Sequence, residues 1–494
     1  MRTLALRIIQ IGAIAIVLVA STLTAFDLDR FTVPKELVLH LTACLAALLA
    51  FGAIRMIAFS RSDWLLVIYL LLSAVSAATA TNRWLGFRAL AVSVSAVLLY
   101  WTARALGESR LIGTLAIAVV ISSATSLIEA YGLRTTLFAV TRVPGGTLGN
   151  RNFIAHVAAI GLPLLFYTAI RAERGATFIM ASLGTAIVAA SLVLTRSRGA
   201  WIAAAVMLLV FAIFAHAWTR LAGVVAFAVA GAIAALVIPN TLRWRAENPY
   251  LESVRGVANY EEGSGRGRLQ QYGRSIVMAG AHPLLGVGPG NWPVVYPHFA
   301  ASNDPSIGGD NMTFNPWPSS DWMAFVSERG LAATVVLLLA LVSIALRSRN
   351  AAVVAIVAAA IVAGLFDAVL LLPVPAFILF TAIGTLTSER SAGSPAGADR
   401  LRAGPTSAIV ILIVLSAVAA ARSAAQLVAM SISGHPEQAT AIDPGNFRIQ
   451  MRLAGRCDHA RAAHALFSYA DAARAAARRC GDRPLIRRSA APSP

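Results

Sequence analysis

Apolar residues along this chain run in continuous blocks separated by short polar gaps, instead of alternating or forming narrow amphipathic stripes. The blocks are about 20 residues long, enough to cross a hydrocarbon core of roughly 30 Å as an α-helix. In lipid a helix satisfies every backbone N–H and C=O within its own segment. The blocks predict spans at 8–26, 37–59, 64–81, 88–106, 111–130, 152–170, 176–195, 201–218 and 221–238, a polar stretch at 239–321, and spans at 322–346, 351–372, 375–387 and 406–429. The 375–387 block is short and bounded by Pro373 and Pro375, so the count is 12 or 13. The expected fold class is all-α: a polytopic transmembrane helix bundle with nine spans in 1–238, a large external loop at 239–321, three to four spans in 322–429, and a small helical C-terminal tail at 430–494.

Composition agrees, with 58% hydrophobic and 13% charged residues against about 25% charged in a soluble domain. This excludes a soluble enzyme with one buried core, a disordered chain, and an outer-membrane barrel, whose strands alternate polar and apolar. The net charge of +18 first means basic cytoplasmic connections. If Arg2 and Arg7 hold the N-terminus in the cytoplasm, every even-numbered connection is cytoplasmic, and each is basic: Arg55/Arg61, Arg104/Arg110, Arg171/Arg174, Arg220, Arg347/Arg349 and Arg390/Arg400/Arg402. The first 25 residues resemble a signal peptide, but parity favours a retained first span. The 239–321 loop and the tail then lie outside the cytoplasm. Cys457 and Cys480 open and close a helical hairpin in that tail, within reach of a disulfide if the compartment is oxidising; two free cysteines in a cytoplasmic tail are the alternative.

The positive-inside pattern has exceptions at the external face: Arg83, Arg88, Arg134, Arg142, Arg151, Arg196 and Arg198. Snorkelling anchors are one explanation. Recognition of a lipid-linked phosphate is another, since a guanidinium fork supplies both charge and bidentate geometry. Lysine occurs once, at Lys35, so the basic balance is almost entirely arginine. The loop arginines Arg243, Arg245, Arg255, Arg266, Arg268 and Arg274 are more than balanced by Glu247, Glu252, Glu261, Glu262, Asp304, Asp310 and Asp321, so the loop is not a polybasic patch.

Three local patterns sharpen the picture. Gly145-Gly146-Thr147-Leu148-Gly149-Asn150-Arg151-Asn152 is a glycine-permitted turn into the sixth span, with Asn150 or Asn152 suited to cap it. Thr195-Arg196-Ser197-Arg198-Gly199 puts two arginines in the turn between spans seven and eight. Gly267-Arg268 opens a loop helix that ends at His282-Pro283-Leu284-Leu285-Gly286-Val287-Gly288-Pro289-Gly290-Asn291-Trp292. The glycine run follows no strand and lacks a Gly-Lys-Ser/Thr ending, so it is not a nucleotide loop.

In this order, from about Gly145 to Leu331, the three patterns resemble the O-antigen ligase/O-antigen polymerase superfamily of bacterial membrane glycosyltransferases, and the tail resembles a degenerate tetratricopeptide unit. The resemblance implies glycan transfer from an undecaprenyl-pyrophosphate donor to a hydroxyl acceptor on a glycan or lipid. The reaction would occur on the periplasmic face of the inner membrane, in surface polysaccharide or lipopolysaccharide assembly, without cofactor, metal or nucleic acid. Membrane lipids surround the bundle, and the tail offers a surface for a protein partner. By motif, Arg198 and Arg268 would engage the pyrophosphate, with Arg196, Arg151 and Arg266 in support. The family's Glu-x-Gly is matched by Glu328-Arg329-Gly330, a further contributor to substrate binding, but Ser319 stands where its histidine base is expected.

Attack by a hydroxyl needs a proton acceptor. Asp321 is the leading candidate at the membrane boundary, ahead of Asp310, Glu328, His298 and His282; a helix cap is its bland alternative. Trp292 and Trp317, with Pro316, Pro318 and Trp322, suggest a sugar-stacking floor or else an interfacial aromatic belt. The competing function is a transporter or flippase for a lipid-linked or anionic solute. It predicts internal repeats and mid-membrane charges, whereas no clear repeat is present and Asp367 is the one acid well inside a span.

Overall fold

The structure is a computed structural model that describes residues 1–53, 58–138, 141–244, 247–256, 263–388, 402–403 and 406–481. The expected cytoplasmic Arg55, Arg390 and Arg400, and the loop residues Arg245, Glu261 and Glu262, lie outside the described residues. Every predicted span is a helix. Nine precede the polar stretch: α1 (Arg2–Leu18), α2 (Asp29–Ala53), α3 (Arg61–Thr79), α4 (Arg83–Leu106), α5 (Arg110–Ala130), α6 (Arg151–Ile170), α7 (Gly175–Thr195), α8 (Arg198–Ile213) and α9 (Trp218–Val237). The stretch itself folds into α10 (Pro249–Arg255), α11 (Gly263–Ala281) and α12 (Trp292–Phe299), and the bundle resumes with α13 (Asp321–Ser348), α14 (Ala351–Phe366), α15 (Pro373–Ser388) and α16 (Thr406–Ser431). The tail forms α17 (Pro436–Ile442), α18 (Phe447–Arg452), α19 (Cys457–Leu466) and α20 (Asp471–Gly481). Among the described residues, nine helices are long and apolar enough to cross a membrane, while α8, α14 and α15 are shorter apolar helices. The chain is a multi-pass membrane protein.

Among the described residues, the expected spans 8–26, 201–218 and 351–372 end early, at Leu18, Ile213 and Phe366. The 351–372 block stops being helical at Phe366, because Asp367 is fully extended and the amides of Val369 and Leu370 turn inward to the Asp321 carboxylate. Pro373 then starts α15 at a position where its missing N–H costs nothing.

Helices α6 and α15 form the centre of the bundle, and α9 lies at its rim, with 83% of the α6 apolar window buried against 17% for α9. Lipid tails are as apolar as leucine, so helices associate by close packing at small residues. A Cβ at Gly231 would sit 2.1 Å from the Ala186 carbonyl oxygen across α7 and α9, and one at Gly384 would sit 2.4 Å from that of Tyr100 across α4 and α15. Buried Asp63 is paired. Asp63 accepts from the Trp101 indole at 3.0 Å, from Arg104 at 2.8 Å and from the Ser60 amide at 2.6 Å, locking α3 to α4.

The two ends of the bundle differ. At one, Arg2 donates to the Leu106 carbonyl, and Arg220 donates to those of Ile170 at 2.8 Å and Ala172 at 2.7 Å. At the other, the polar stretch and the tail pack together. Asn82 donates to Leu466 O at 3.0 Å, Asn311 to Tyr469 O at 3.1 Å, and Arg448 to Ala25 O at 2.9 Å. The tail hairpin is closed by a Cys457–Cys480 disulfide, with Cα atoms 5.4 Å apart around an alanine seam of Ala460, Ala463, Ala473 and Ala476.

Candidate functional site

The site begins with the turn before α6. Lys35 donates to Thr147 O at 2.8 Å, and Glu129 accepts from Gly146 N at 2.7 Å, so two buried charges hold the turn from opposite sides. Asn150 caps α6 by accepting from Asn152 N at 3.0 Å. This cap directs Arg151 toward Trp244, whose ring centroid lies 5.0 Å from the guanidinium carbon. Arg196 reaches the same indole at 4.7 Å, so two guanidiniums from separate motifs share one ring. Arg196 sits in left-handed backbone, φ 55°, which a side chain other than glycine occupies only at a cost of order 1 kcal/mol or more. Its Nε donates to Ser253 Oγ at 2.8 Å. Arg198, two residues on, opens α8 and donates to the Gly256 carbonyl. Burial lowers the Arg196 pKa from its ordinary value and the neighbouring Arg198 charge adds to this, while Glu252 and Tyr250 oppose it.

Arg142 and Arg268 widen this positive mouth. Arg142 donates to Asn315 Oδ1 at 2.9 Å and lies within electrostatic reach of Arg151. Arg268, half-buried on α11, lies within electrostatic reach of His156. Among the described residues, Arg142, Arg151, Arg196 and Arg268 form no ion pair, so the mouth has cationic capacity that a phosphate would fill. Arg266 is exposed, outside this group.

One acid in this neighbourhood is Asp367, at the end of α14. Asn152 Nδ2 donates to its Oδ2 at 2.7 Å, His156 Nε2 stands 3.9 Å from the same oxygen, and the Ala368 amide donates to Oδ1 at 2.8 Å. Asn152 and His156 are four residues apart on α6 and therefore share a face. The Asp367 side chain keeps 13% of its surface exposed. His156 Nδ1 is buried with no hydrogen-bond partner among the described residues.

Asp321 does something different from what its position in the sequence suggested. It is fully buried, its Oδ1 accepts from Val369 N at 2.9 Å and its Oδ2 from Leu370 N at 2.8 Å. That ties it to the 367–372 turn, and its complete burial leaves no surface open to a substrate. Glu328 has the same kind of duty: its oxygens accept from Gly290 N at 2.8 Å and Trp292 N at 3.1 Å, pinning the glycine run at the start of α12. Gly330, at φ 82°, bends α13 there, and a Cβ on it would fall 2.1 Å from Leu284 O. Trp292 is wholly buried, donating to Ser275 Oγ at 3.0 Å and packing on Tyr296, so it is core and not a sugar floor. Burial and the Asp304 hydrogen bond push the Tyr296 phenol well above its usual pKa.

Trp317 does line a cavity. It packs 5.8 Å from Phe153 beside the arginine mouth, and on its other side a cavity of about 330 Å³ opens between the bundle and the tail. Residues 370–373 line that cavity, so the turn anchored by Asp321 carries Asp367 at its start and a cavity wall at its end. The other proton-acceptor candidates face elsewhere. Asp310 accepts from the tail amide of Ala472, His298 stacks on Tyr469 at 5.3 Å, and His282 is exposed in the turn after α11. Ser319 is held by α11, its amide donating to Gln271 Oε1 at 2.7 Å and its carbonyl accepting from Tyr272.

The residues that sequence reading passed over are Trp244 and His156, and it gave Asn152 only a capping role. The i, i+4 spacing of Asn152 and His156 beside the Gly-Asn turn is the signal that could have marked them.

Residues 183–338 match the family model described as O-antigen ligase. The match covers roughly a third of the chain, from within α7 to within α13. It contains Arg196, Arg198, Arg266, Arg268, Asp321 and Glu328, and leaves Arg151, Asn152, His156, Asp367 and the tail outside. The comparison with curated proteins finds no match.

Proposed function

We propose, from the O-antigen ligase resemblance over residues 183–338, a role in surface-polysaccharide assembly as a glycosyl-transferring enzyme acting on a lipid-linked glycan. We propose that the chain transfers a glycan from a polyprenyl-pyrophosphate donor to a hydroxyl acceptor at the arginine mouth. The convergence of Arg151 and Arg196 on one indole, with Arg268 nearby and no ion pair to any of the three among the described residues, carries the reading.

The arginines hold the donor pyrophosphate, and as the bond from the anomeric carbon to the phosphate oxygen breaks, the departing charge grows against guanidiniums already in place. The acceptor hydroxyl oxygen bonds to the anomeric carbon, and its proton passes to Asp367 Oδ2. Asn152 and His156 position that carboxylate. Arg198 supports the mouth by tying α8 to the end of α10. Arg266 is a second-rank contact by its exposure. Trp317, between mouth and cavity, is the aromatic surface available to a sugar face, and Glu328 shapes the cavity through the turn it pins.

In this reading the mouth, the 239–321 loop and the tail face the periplasm, and the end with Arg2 and Arg220 faces the cytoplasm, in agreement with the positive-inside pattern. The test is glycan profiling of cells that carry Arg196→Ala, Arg268→Ala or Asp367→Asn in place of the wild-type chain. Accumulated lipid-linked glycan with loss of the mature product is expected for each. Wild-type glycan from both arginine variants would reject the transferase site.

A further inference from the structure

A second lipid-facing feature lies away from the arginine mouth. Between α4 and α16 runs an apolar groove of about 380 Å³, within the size range of small-molecule sites. Its walls come from α4 and α16, with His40 of α2 between them, and all three helices have the length and composition of a membrane span, so the substance that reaches it is hydrocarbon. Leu90, Val94, Leu415 and Val418 line its length.

The groove is not apolar throughout. At one end stand Arg83, Arg88 and Arg422. Arg88 is already neutralised, with its Nε 2.9 Å from Glu36 and its Nη2 3.0 Å from Asp29. Arg422 is not. Its guanidinium lies 4.8 Å from the Trp84 ring centroid, and among the described residues it has neither a hydrogen bond nor an ion pair. Asp443 of the tail is close enough to act on it electrostatically, but no ion pair forms. Arg83 is exposed and equally without an ion pair among the described residues. Trp84 itself is backed by the tail, where a Cβ on Gly445 would sit 2.6 Å from the indole. One guanidinium beside a braced indole and a second lining the same groove, both without salt bridges among the described residues, match the chemistry of a phosphate on an acyl chain.

We propose that this groove is a binding site for an anionic phospholipid of the surrounding bilayer, with one acyl chain between α4 and α16 and its phosphate on Arg422 and Arg83. The proposal does not rest on the glycan reaction. It joins the cavity beneath the tail through Trp84, Arg88, Arg422 and Gln426, so a bound lipid seals one side of that cavity.

The experiment uses the full chain, purified in detergent and titrated with phosphatidylglycerol or phosphatidylcholine, with retained lipid counted by native mass spectrometry. Wild type should prefer phosphatidylglycerol. Arg422→Gln should weaken that binding by about tenfold, the loss of one charge-assisted contact, and Arg422→Lys should restore part of it. Ala419→Trp, which fills the groove and leaves both arginines, should also reduce retention. Two outcomes overturn the site: unchanged phosphatidylglycerol retention in both Arg422→Gln and Ala419→Trp, or full competition by inorganic phosphate with Ala419→Trp without effect, which would mean a free-phosphate contact. Brominated acyl chains give a second readout. They should quench wild-type fluorescence more than that of Trp84→Phe, and equal quenching would also overturn the site.

Discussion

Replacing Asp321 separates a catalytic role from a structural one. Its two oxygens accept from the backbone amides of Val369 and Leu370 at 2.9 and 2.8 Å, in a wholly buried position. A hydrogen bond to a charged group contributes roughly 1.5–3 kcal/mol net. Asparagine keeps one acceptor and turns an NH2 toward the other amide, so Asp321→Asn should cost about 2–4 kcal/mol, and Asp321→Ala, which orphans both amides, about 3–6 kcal/mol. Relaxation cannot absorb much of this, because a Cβ added at Gly364 would already lie 2.8 Å from Asp321 Oδ2, a measure of how tightly α14 closes over the carboxylate. The assay is thermal unfolding of the purified protein alongside transfer of a lipid-linked glycan at a temperature where each variant is folded. An anchor gives a lowered melting temperature with an unshifted pH profile for the remaining transfer. The opposite pattern, wild-type melting with transfer reduced by about 10²–10⁴, is the signature of a general base and would refute the assignment.

Other outcomes follow from the same geometry. Asp367→Asn should leave melting nearly unchanged, since Asn152 can reorient its amide, and should reduce transfer by about 10²–10⁴; retention of full transfer would remove Asp367 from the reaction. Gly330→Ala should destabilise by roughly 3 kcal/mol or more, because φ 82° with ψ 166° is a glycine region and the new Cβ meets Leu284 O; a melt within error of wild type would contradict this. Cys457→Ser opens a loop with a sequence separation of 23 and should destabilise the tail by about 3 kcal/mol, seen as faster limited proteolysis of the tail with the bundle intact. In cells, alkylation before and after reduction should find Cys457 and Cys480 oxidised; free thiols there would place the tail in a reducing compartment.

The bundle was legible in the sequence because a bilayer imposes one length and one polarity on every span, and a block of apolar residues records both. Helix positions, the basic character of the alternate connections and the arginines that break that pattern all follow from local composition. The 351–372 block shows where this stops. Nothing local distinguishes Phe366 from Leu370, and only the Asp321 carboxylate, 48 residues from Val369 in the chain, decides that the amides after Asp367 leave the helix. The same reason governs the site. Asp321 at the membrane boundary, Glu328 in its Glu-x-Gly and Trp292 after the glycine run read as functional, yet each is taken up by a buried contact from another segment. Which carboxylate keeps exposed surface depends on the packing of α6 against α14, so Asp367 enters the proposed site only once the chain is folded. Composition therefore determined the solvent in which this protein folds and the residues available to meet a phosphate. Tertiary structure alone decided which of them stand together, because hydrogen-bond satisfaction is settled between segments and not within them.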